Sequence, residues 1–185
     1  MTGCAPTGFS LYEHARETNL TMKQQVADLQ LHIFDGEWTV GEYGDVPNSC
    51  GSNGYNFYVQ RGTPLDSDWR MSAPSAQDMA DELMEWLESR GWTSVTRQAY
   101  STGVSTVTVE AEKRSSYVED LLVMISSGVE NDIVTIRATS TCEDGDRWEL
   151  RELMFPDNLF EYEVIGREHP SAEPKFGMAT PTPGP

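Results

Sequence analysis

The sequence is short of basic charge. Its 185 residues carry 30 Asp and Glu against 13 Lys and Arg, which gives a formal net charge of −17 at pH 7. A nucleic-acid-binding protein needs clustered Lys and Arg to neutralise phosphates, and an anionic lipid surface would repel this chain. The composition therefore argues against nucleic acid as a partner. It also predicts that any membrane attachment is hydrophobic and covalent.

Long apolar runs and the common catalytic or metal-binding patterns are lacking as well. No run approaches the ~20 apolar residues that a membrane-spanning helix needs. The three histidines show no zinc-ligand spacing, and no glycine-rich phosphate loop precedes a helix. The acidic turn at 143–146 lacks the register of a calcium loop. We therefore predict no metal site, no cofactor and no assignable catalytic residue.

Cysteine is scarce, and two of the three cysteines occupy positions that suit a disulfide. Cys50 lies in a polar loop, and Cys142 ends a β-rich run. A bridge closing a loop of about 90 residues would contribute roughly 4–5 kcal/mol in the chain-entropy model. Oxidised pairs persist outside the cytosol, so the predicted Cys50–Cys142 bond indicates an exported protein. The alternative is two unrelated reduced thiols in a cytosolic protein.

The third cysteine, Cys4, follows the small residue Gly3 and precedes a short run rich in Pro, Thr and Gly. This arrangement resembles the end of a bacterial lipoprotein signal, in which the thiol receives a diacylglyceryl group. Two acyl chains anchor a protein stably, whereas one holds it weakly. We therefore predict a lipid anchor at Cys4 on the extracytoplasmic face of the cell membrane. The alternative is an ordinary thiol near the terminus.

Two amphipathic helices are predicted. The first runs from Tyr12 towards Gly36, with apolar residues three, four or seven apart. The second begins with the capping box of Ser75 and Asp78 and ends at Gly91. Its polar face carries a series of acids, and we interpret it as a solvated face, with a docking surface for a basic partner as the alternative. The acids proposed for docking are Asp81, Glu85 and Glu88.

Strands dominate the second half of the chain. Residues 36–54 and 61–74 are rich in Gly and Pro and are predicted as loops, with one strand at 55–59 between them. Four further strands joined by short turns imply an antiparallel meander. They are predicted at 92–100, 104–111, 117–126 and 133–142. The prediction is an α+β fold, with a mostly antiparallel sheet of about five strands and two helices packed on one face.

The last part of the chain changes character. Residues 143–168 combine acids with large apolar side chains, which makes disorder unfavourable. We expect this extension to pack across the domain or to bind a partner. Residues 169–185 are rich in Pro and Thr and are predicted as a disordered or polyproline II tail. The residues of the extension proposed for a partner surface are Trp148, Phe155, Leu159 and Phe160.

The predicted organisation is therefore a tether at 1–8, a domain at 9–142, the extension at 143–168 and the tail at 169–185. The small residue before Cys4, the first-helix stretch at Tyr12, Ala15 and Arg16, the loop cysteine and the Pro/Thr tail resemble actinobacterial LppA-like lipoproteins. The resemblance implies an envelope lipoprotein without an established activity.

The sequence favours a non-enzymatic protein-binding module of the cell envelope, an accessory part of a membrane-associated complex with an unidentified envelope protein as its partner. One alternative is a carrier or sensor of a small ligand held between helices and sheet. A second is a hydrolase that acts on an extracellular polymer through carboxylates. A deep apolar pocket would favour the carrier, a buried carboxylate pair in a cleft the hydrolase, and a flat apolar patch the protein-binding module.

Overall fold

The computed structural model describes residues 8–102, 104–156 and 166–177. Three residues of the predicted sites, Cys4, Leu159 and Phe160, lie outside these ranges. The helices are α1 (Gly8–Ile33), α2 (Ala76–Ser89) and α3 (Arg147–Met154), with a 3-10 turn at Arg114–Ser116. The strands are β1 (Trp38–Glu42), β2 (Asn48–Cys50), β3 (Gly54–Asn56), β4 (Tyr58–Gly62), β5 (Thr93–Thr102), β6 (Val104–Lys113), β7 (Val118–Ser127), β8 (Asp132–Ser140), β9 (Glu143–Asp144) and β10 (Arg167–Glu168).

Across the described residues, the strands form two antiparallel sheets. The larger has seven strands in the order β10-β1-β4-β8-β7-β6-β5, and the smaller has the order β2-β3-β9. The α+β class and the antiparallel meander of β5 to β8 are confirmed. The large sheet contains more strands than the predicted five, because short pieces at both ends of the chain extend it through β1 and β10.

Period-two burial along the strands defines the core face of the large sheet. In β7, Leu121, Val123 and Ile125 are fully buried, and the side chains between them are half-buried. Helix α2 covers this face at β5, β6 and β7, whereas α1 lies against β8. The opposite face carries the partly exposed residues of each strand, as expected for an antiparallel sheet with one solvated side.

The second helix forms as its sequence predicts. The Ser75 hydroxyl accepts a hydrogen bond from the backbone N–H of Asp78 at 3.2 Å, which caps the first turn. Met79, Leu83 and Leu87 bury its apolar face. Gly91 follows the helix with a φ of +79°, a conformation that glycine adopts without steric cost.

The prediction that residues 36–54 form a loop is wrong, because β1 and β2 lie within this segment. Trp38 in β1 is fully buried, and its indole N–H donates to the carbonyl of Phe34 at 3.0 Å. The glycines that suggested a loop instead shape the strand end. At Gly44, with a φ of +97°, an added Cβ would lie 2.4 Å from a methyl carbon of Val59.

The predicted disulfide between Cys50 and Cys142 is confirmed, with a Cα–Cα separation of 5.8 Å and a sequence separation of 92. This separation lies within the usual range for a disulfide. Cys50 ends β2, and Cys142 lies between β8 and β9. The bond therefore joins the small sheet to the end of the large sheet.

Most of the described extension packs on the domain. Helix α3 lies against α1 and buries Leu150 and Met154. Phe155, proposed for the partner surface, is only 4% exposed and belongs to the core, so its assignment to a binding surface is wrong. β10 pairs with the outer edge of β1. Residues 169–177, where the sequence predicts a tail, also lie against the domain, since Phe176 packs edge-on against Tyr12.

Candidate functional site

The structure does not bring the predicted partner residues into one surface. Asp81, Glu85 and Glu88 are exposed on α2, where Asp81 forms an ion pair with Arg97 of β5. Trp148 projects from α3, a helix that packs on α1 instead. The two groups thus occupy different elements, and neither lines the cleft described below.

That cleft lies between α1, the strands β1 and β4, and the C-terminal segment 166–177. Its volume is about 320 Å³, within the range of small-molecule sites although near its lower end. The walls combine aliphatic side chains with several buried polar groups. The lining residues used below are Lys23, Val26, Ala27, Gln30, Tyr43, Val59, Arg61, Arg167, Glu168, Pro170, Glu173, Pro174 and Lys175.

A buried ion pair forms one wall. The Lys23 Nζ atom donates to Asp45 Oδ1 at 2.5 Å and to the carbonyl of Lys175 at 2.8 Å. It also lies 3.9 Å from the centre of the Tyr43 ring, a cation–π contact. The pKa of Lys23 is lowered to about 8, mainly because burial disfavours its charge; Asp45 opposes this shift, and Arg61 adds to it. Lys23 therefore remains mostly charged at neutral pH, because its partners compensate part of the desolvation.

Arg61 forms the neighbouring wall. It is almost fully buried, forms an ion pair with Glu168 of β10, and has its guanidinium carbon 5.3 Å from the Tyr43 ring centre. The hydroxyl of Tyr43 accepts a hydrogen bond from the Lys175 backbone N–H at 3.0 Å. Burial is the main cause of the raised pKa of Tyr43. These contacts hold residues 168–175 over the cleft through side chains of α1, β4 and the loop that follows β1.

Gln30 is the polar side chain of the cleft that lacks a complete set of partners. It is 1% exposed, and among the described residues its Nε2 atom has no hydrogen-bond acceptor. Buried amide donors are nearly always bonded to protein or water. Thr18 Oγ1, Asn19 Oδ1 and the Tyr55 hydroxyl are likewise buried without a hydrogen-bond partner among the described residues, so the Gln30 amide by itself does not mark a ligand position.

The cleft also differs in charge from the rest of the chain. Four of the 13 basic residues line it (Lys23, Arg61, Arg167 and Lys175), against two of the 30 acidic ones (Glu168 and Glu173). Asp45 lies behind Lys23 and offsets its charge. Arg61 and Arg167 are likewise paired, with Glu168 and Asp66, so the charges around the cleft are largely balanced.

Sequence reasoning did not find this cleft. The first-helix pattern identified Met22, Val26 and Leu29 as apolar positions, and all three are buried. Lys23 and Gln30 are seven residues apart, so they lie on the same side of α1 as Val26. A Lys and a Gln on the apolar side of a helix were the available signal. The partners of Lys23, however, are distant in sequence.

Comparisons with known proteins add no further assignment. A scan against family models, a search of curated proteins and a search of solved structures each found no match. The resemblance to LppA-like lipoproteins therefore stays a prediction. Within the described ranges, no helix is long and apolar enough to cross a membrane. The same residues contain no His, Cys, Asp and Glu group arranged to hold a metal ion.

Proposed function

We propose that this protein is a non-enzymatic binding protein that holds a small molecule in the cleft between α1 and the C-terminal segment. The cleft itself is the observation that carries this proposal, because about 320 Å³ between aliphatic and charged side chains is enough for a small molecule. Displacement of water from the aliphatic walls would supply affinity for a ligand of matching size.

The contacts of the cleft carboxylates support binding over hydrolysis. A glycoside-type mechanism needs one carboxyl group to act as an acid and another to act as a base or nucleophile. Asp45 and Glu168 are instead each hydrogen-bonded to a buried cation, Lys23 and Arg61 respectively. We therefore propose that these carboxylates position Lys23 and Arg61 and transfer no proton.

A cleft-filling variant tests this proposal. Ala27 lines the cleft from α1, so Ala27→Phe places a ring in the space that the ligand would occupy. Ala99→Phe on the exposed part of β5 is the matched control. A thermal-shift screen of small metabolites should find compounds that raise the Tm of the wild type and of the control but not of Ala27→Phe. Compounds that stabilise all three proteins equally would contradict binding in the cleft.

The proposed location is the outer face of the cell membrane, with a lipid on Cys4. The disulfide supports an oxidising compartment. Protein made with a lipoprotein signal should fractionate with membranes, and Cys4→Ala should release it into the soluble fraction. An intact mass that shows an unmodified Cys4 in the membrane fraction would contradict the anchor.

Protein binding, the function that the sequence favours, is supported by a different feature. Trp148 is 55% exposed and Leu153 is 42% exposed, both on α3. The Arg147 and Arg151 guanidinium carbons lie 4.3 and 5.6 Å from the Trp148 ring centre. Exposed Trp beside Arg is typical of residues that dominate protein interfaces. If an envelope protein binds here, Trp148→Ala should raise its off-rate more than Leu65→Ala, an exposed apolar control.

A further inference from the structure

A second, shallow pocket lies between the small sheet and the start of α3. We propose that this pocket binds one sugar ring of a neutral saccharide, stacked on Trp148. Residues 49–54 form one wall and residues 145–148 form the other. The pocket shares no lining residue with the cleft, so this inference is independent of the small-molecule binding proposed there. The aromatic surface, the polar groups and the rigid floor of the pocket carry it.

Trp148 supplies the stacking surface. Its side chain lines the pocket and is 55% exposed, although the Arg147 guanidinium carbon lies 4.3 Å from the ring centre. More than half of the Trp148 surface is therefore accessible to a ligand beside Arg147. A sugar ring presents a face of C–H groups, which packs on the electron-rich face of an indole, while its hydroxyl groups stay free at the rim.

The polar groups of the pocket match a neutral ligand with many hydroxyl groups. Ser49, Ser52 and Asn53 line the pocket and are exposed to solvent. A serine hydroxyl can both donate and accept, and the Asn amide offers two donors and an acceptor, so each can bond to a sugar hydroxyl. The charged lining residues, Asp146 and Arg147, have opposite signs and select no net charge. The pocket therefore favours a neutral saccharide over an ion.

The floor of the pocket is rigid and sets the size of the ligand. The disulfide fixes Cys50 to Cys142, and Gly54 lies so close beneath it that an added Cβ would be 2.9 Å from Cys142 Sγ. At Gly145, an added Cβ would lie 2.4 Å from a methyl carbon of Leu11. A preformed site binds without the cost of ordering. The volume of about 180 Å³ is below the usual range for an enclosed small-molecule site, which suits one ring with its outer face in solvent.

NMR titration of the full chain with neutral disaccharides tests the inference. The indole N–H signal of Trp148 is assigned as the signal absent from Trp148→Phe. Of cellobiose, maltose, mannobiose and N,N′-diacetylchitobiose, at least one should shift this signal in a saturable manner. The indole signal of Trp86, which stacks on His32 between the two long helices, should stay unchanged.

Variants separate the sugar site from a protein-binding surface on α3. Binding is followed through the backbone amide signal of Gly51 in the pocket wall. Trp148→Ala should weaken binding of the disaccharide about ten-fold or more, whereas Trp148→Tyr should keep part of the affinity because it retains a ring. Asn53→Ala should weaken it about two- to ten-fold. Leu153→Ala, at an exposed apolar position of the same helix outside the pocket, should leave it unchanged.

Three results would overturn the inference. The first is that none of the four disaccharides shifts the Trp148 signal. The second is an equal or stronger response to adenosine, which would show that the pocket recognises a flat aromatic ring and not a sugar. The third is unchanged affinity in Trp148→Ala. None of these results bears on the cleft, whose ligands are tested with Ala27→Phe, and Ala27→Phe should bind the disaccharide as the wild type does.

Discussion

The two long helices meet the large sheet with different chemistry. Helix α2 buries Met79, Leu83 and Leu87 against β5 to β7. Helix α1 also buries apolar residues, but it brings Lys23 and Gln30 into the interior beside them. The α2 side is held by non-directional apolar contact, whereas the α1 side depends on the specific partners that compensate the buried charge of Lys23. The α1 side therefore contains buried charge that the α2 side lacks, and the cleft lies on the α1 side.

Breaking the buried ion pair should have the largest effect. Asp45→Leu leaves the Lys23 charge without its carboxylate partner and should lower the free energy of unfolding by about 3–5 kcal/mol. The double variant Lys23→Met/Asp45→Leu removes both charges and should recover most of this loss. Urea denaturation of the two single variants and the double variant gives the coupling energy. If the losses of the two single variants simply add in the double variant, Lys23 and Asp45 are not coupled, and the α1 side does not depend on this pair.

Removing the disulfide should have the next largest effect. Replacing Cys50 and Cys142 by Ser should cost roughly 2–5 kcal/mol, because the unfolded chain regains the freedom of a loop whose ends are 92 positions apart. Urea denaturation of the double variant measures this loss against the oxidised wild type. Equal stability of the two proteins would show that the disulfide does not stabilise the small sheet.

Alkaline pH should affect the α1 side selectively. Between pH 8, the approximate pKa of Lys23 in the folded protein, and its ordinary value of 10.5, the unfolded chain binds more protons than the folded one. The free energy of unfolding should therefore rise with pH, by about 1–2 kcal/mol between pH 8 and 9.5, below the range in which tyrosines titrate. Lys23→Met should abolish this rise, whereas Leu83→Ala in α2 should lower stability without changing the slope. If the free energy of unfolding of Lys23→Met still rises with pH, another titratable group causes the rise.

Neutralising the acids of α2 should have the smallest effect on the fold. Asp81→Asn with Glu85→Gln removes exposed charge, and the free energy of unfolding should change by no more than about 0.5 kcal/mol. If this face docks a basic partner, association should slow and lose much of its salt dependence. A stability loss well above this value would show that the Asp81–Arg97 pair supports the α2 side.

Short-range sequence patterns predicted the elements that depend on interactions between residues close in sequence. The α2 cap at Ser75, the stop at Gly91 and the four strands of the meander follow from signals within a few residues, and all are confirmed. Strand β1 was missed because Gly41 and Gly44 are typical of loops, although Trp38 anchors the segment in the core. Phe155 was assigned to a partner surface under the alternative that the apolar residues of 143–168 bind a partner rather than pack across the domain. Nothing local indicated that the end of α3 turns it inwards.

By itself the sequence determined the acidic net charge, the α+β class, the disulfide and the capped helix α2, because composition and short-range periodicity are sufficient for each. Only the tertiary structure decided that α1 carries polar residues into the interior and that 166–177 lies across them. Lys23 finds its partners at Asp45 and Lys175, and Arg61 finds its partner at Glu168. These contacts join residues that are 22, 152 and 107 positions apart. No short-range pattern contains them, because the chain must close these loops before the charges can pair.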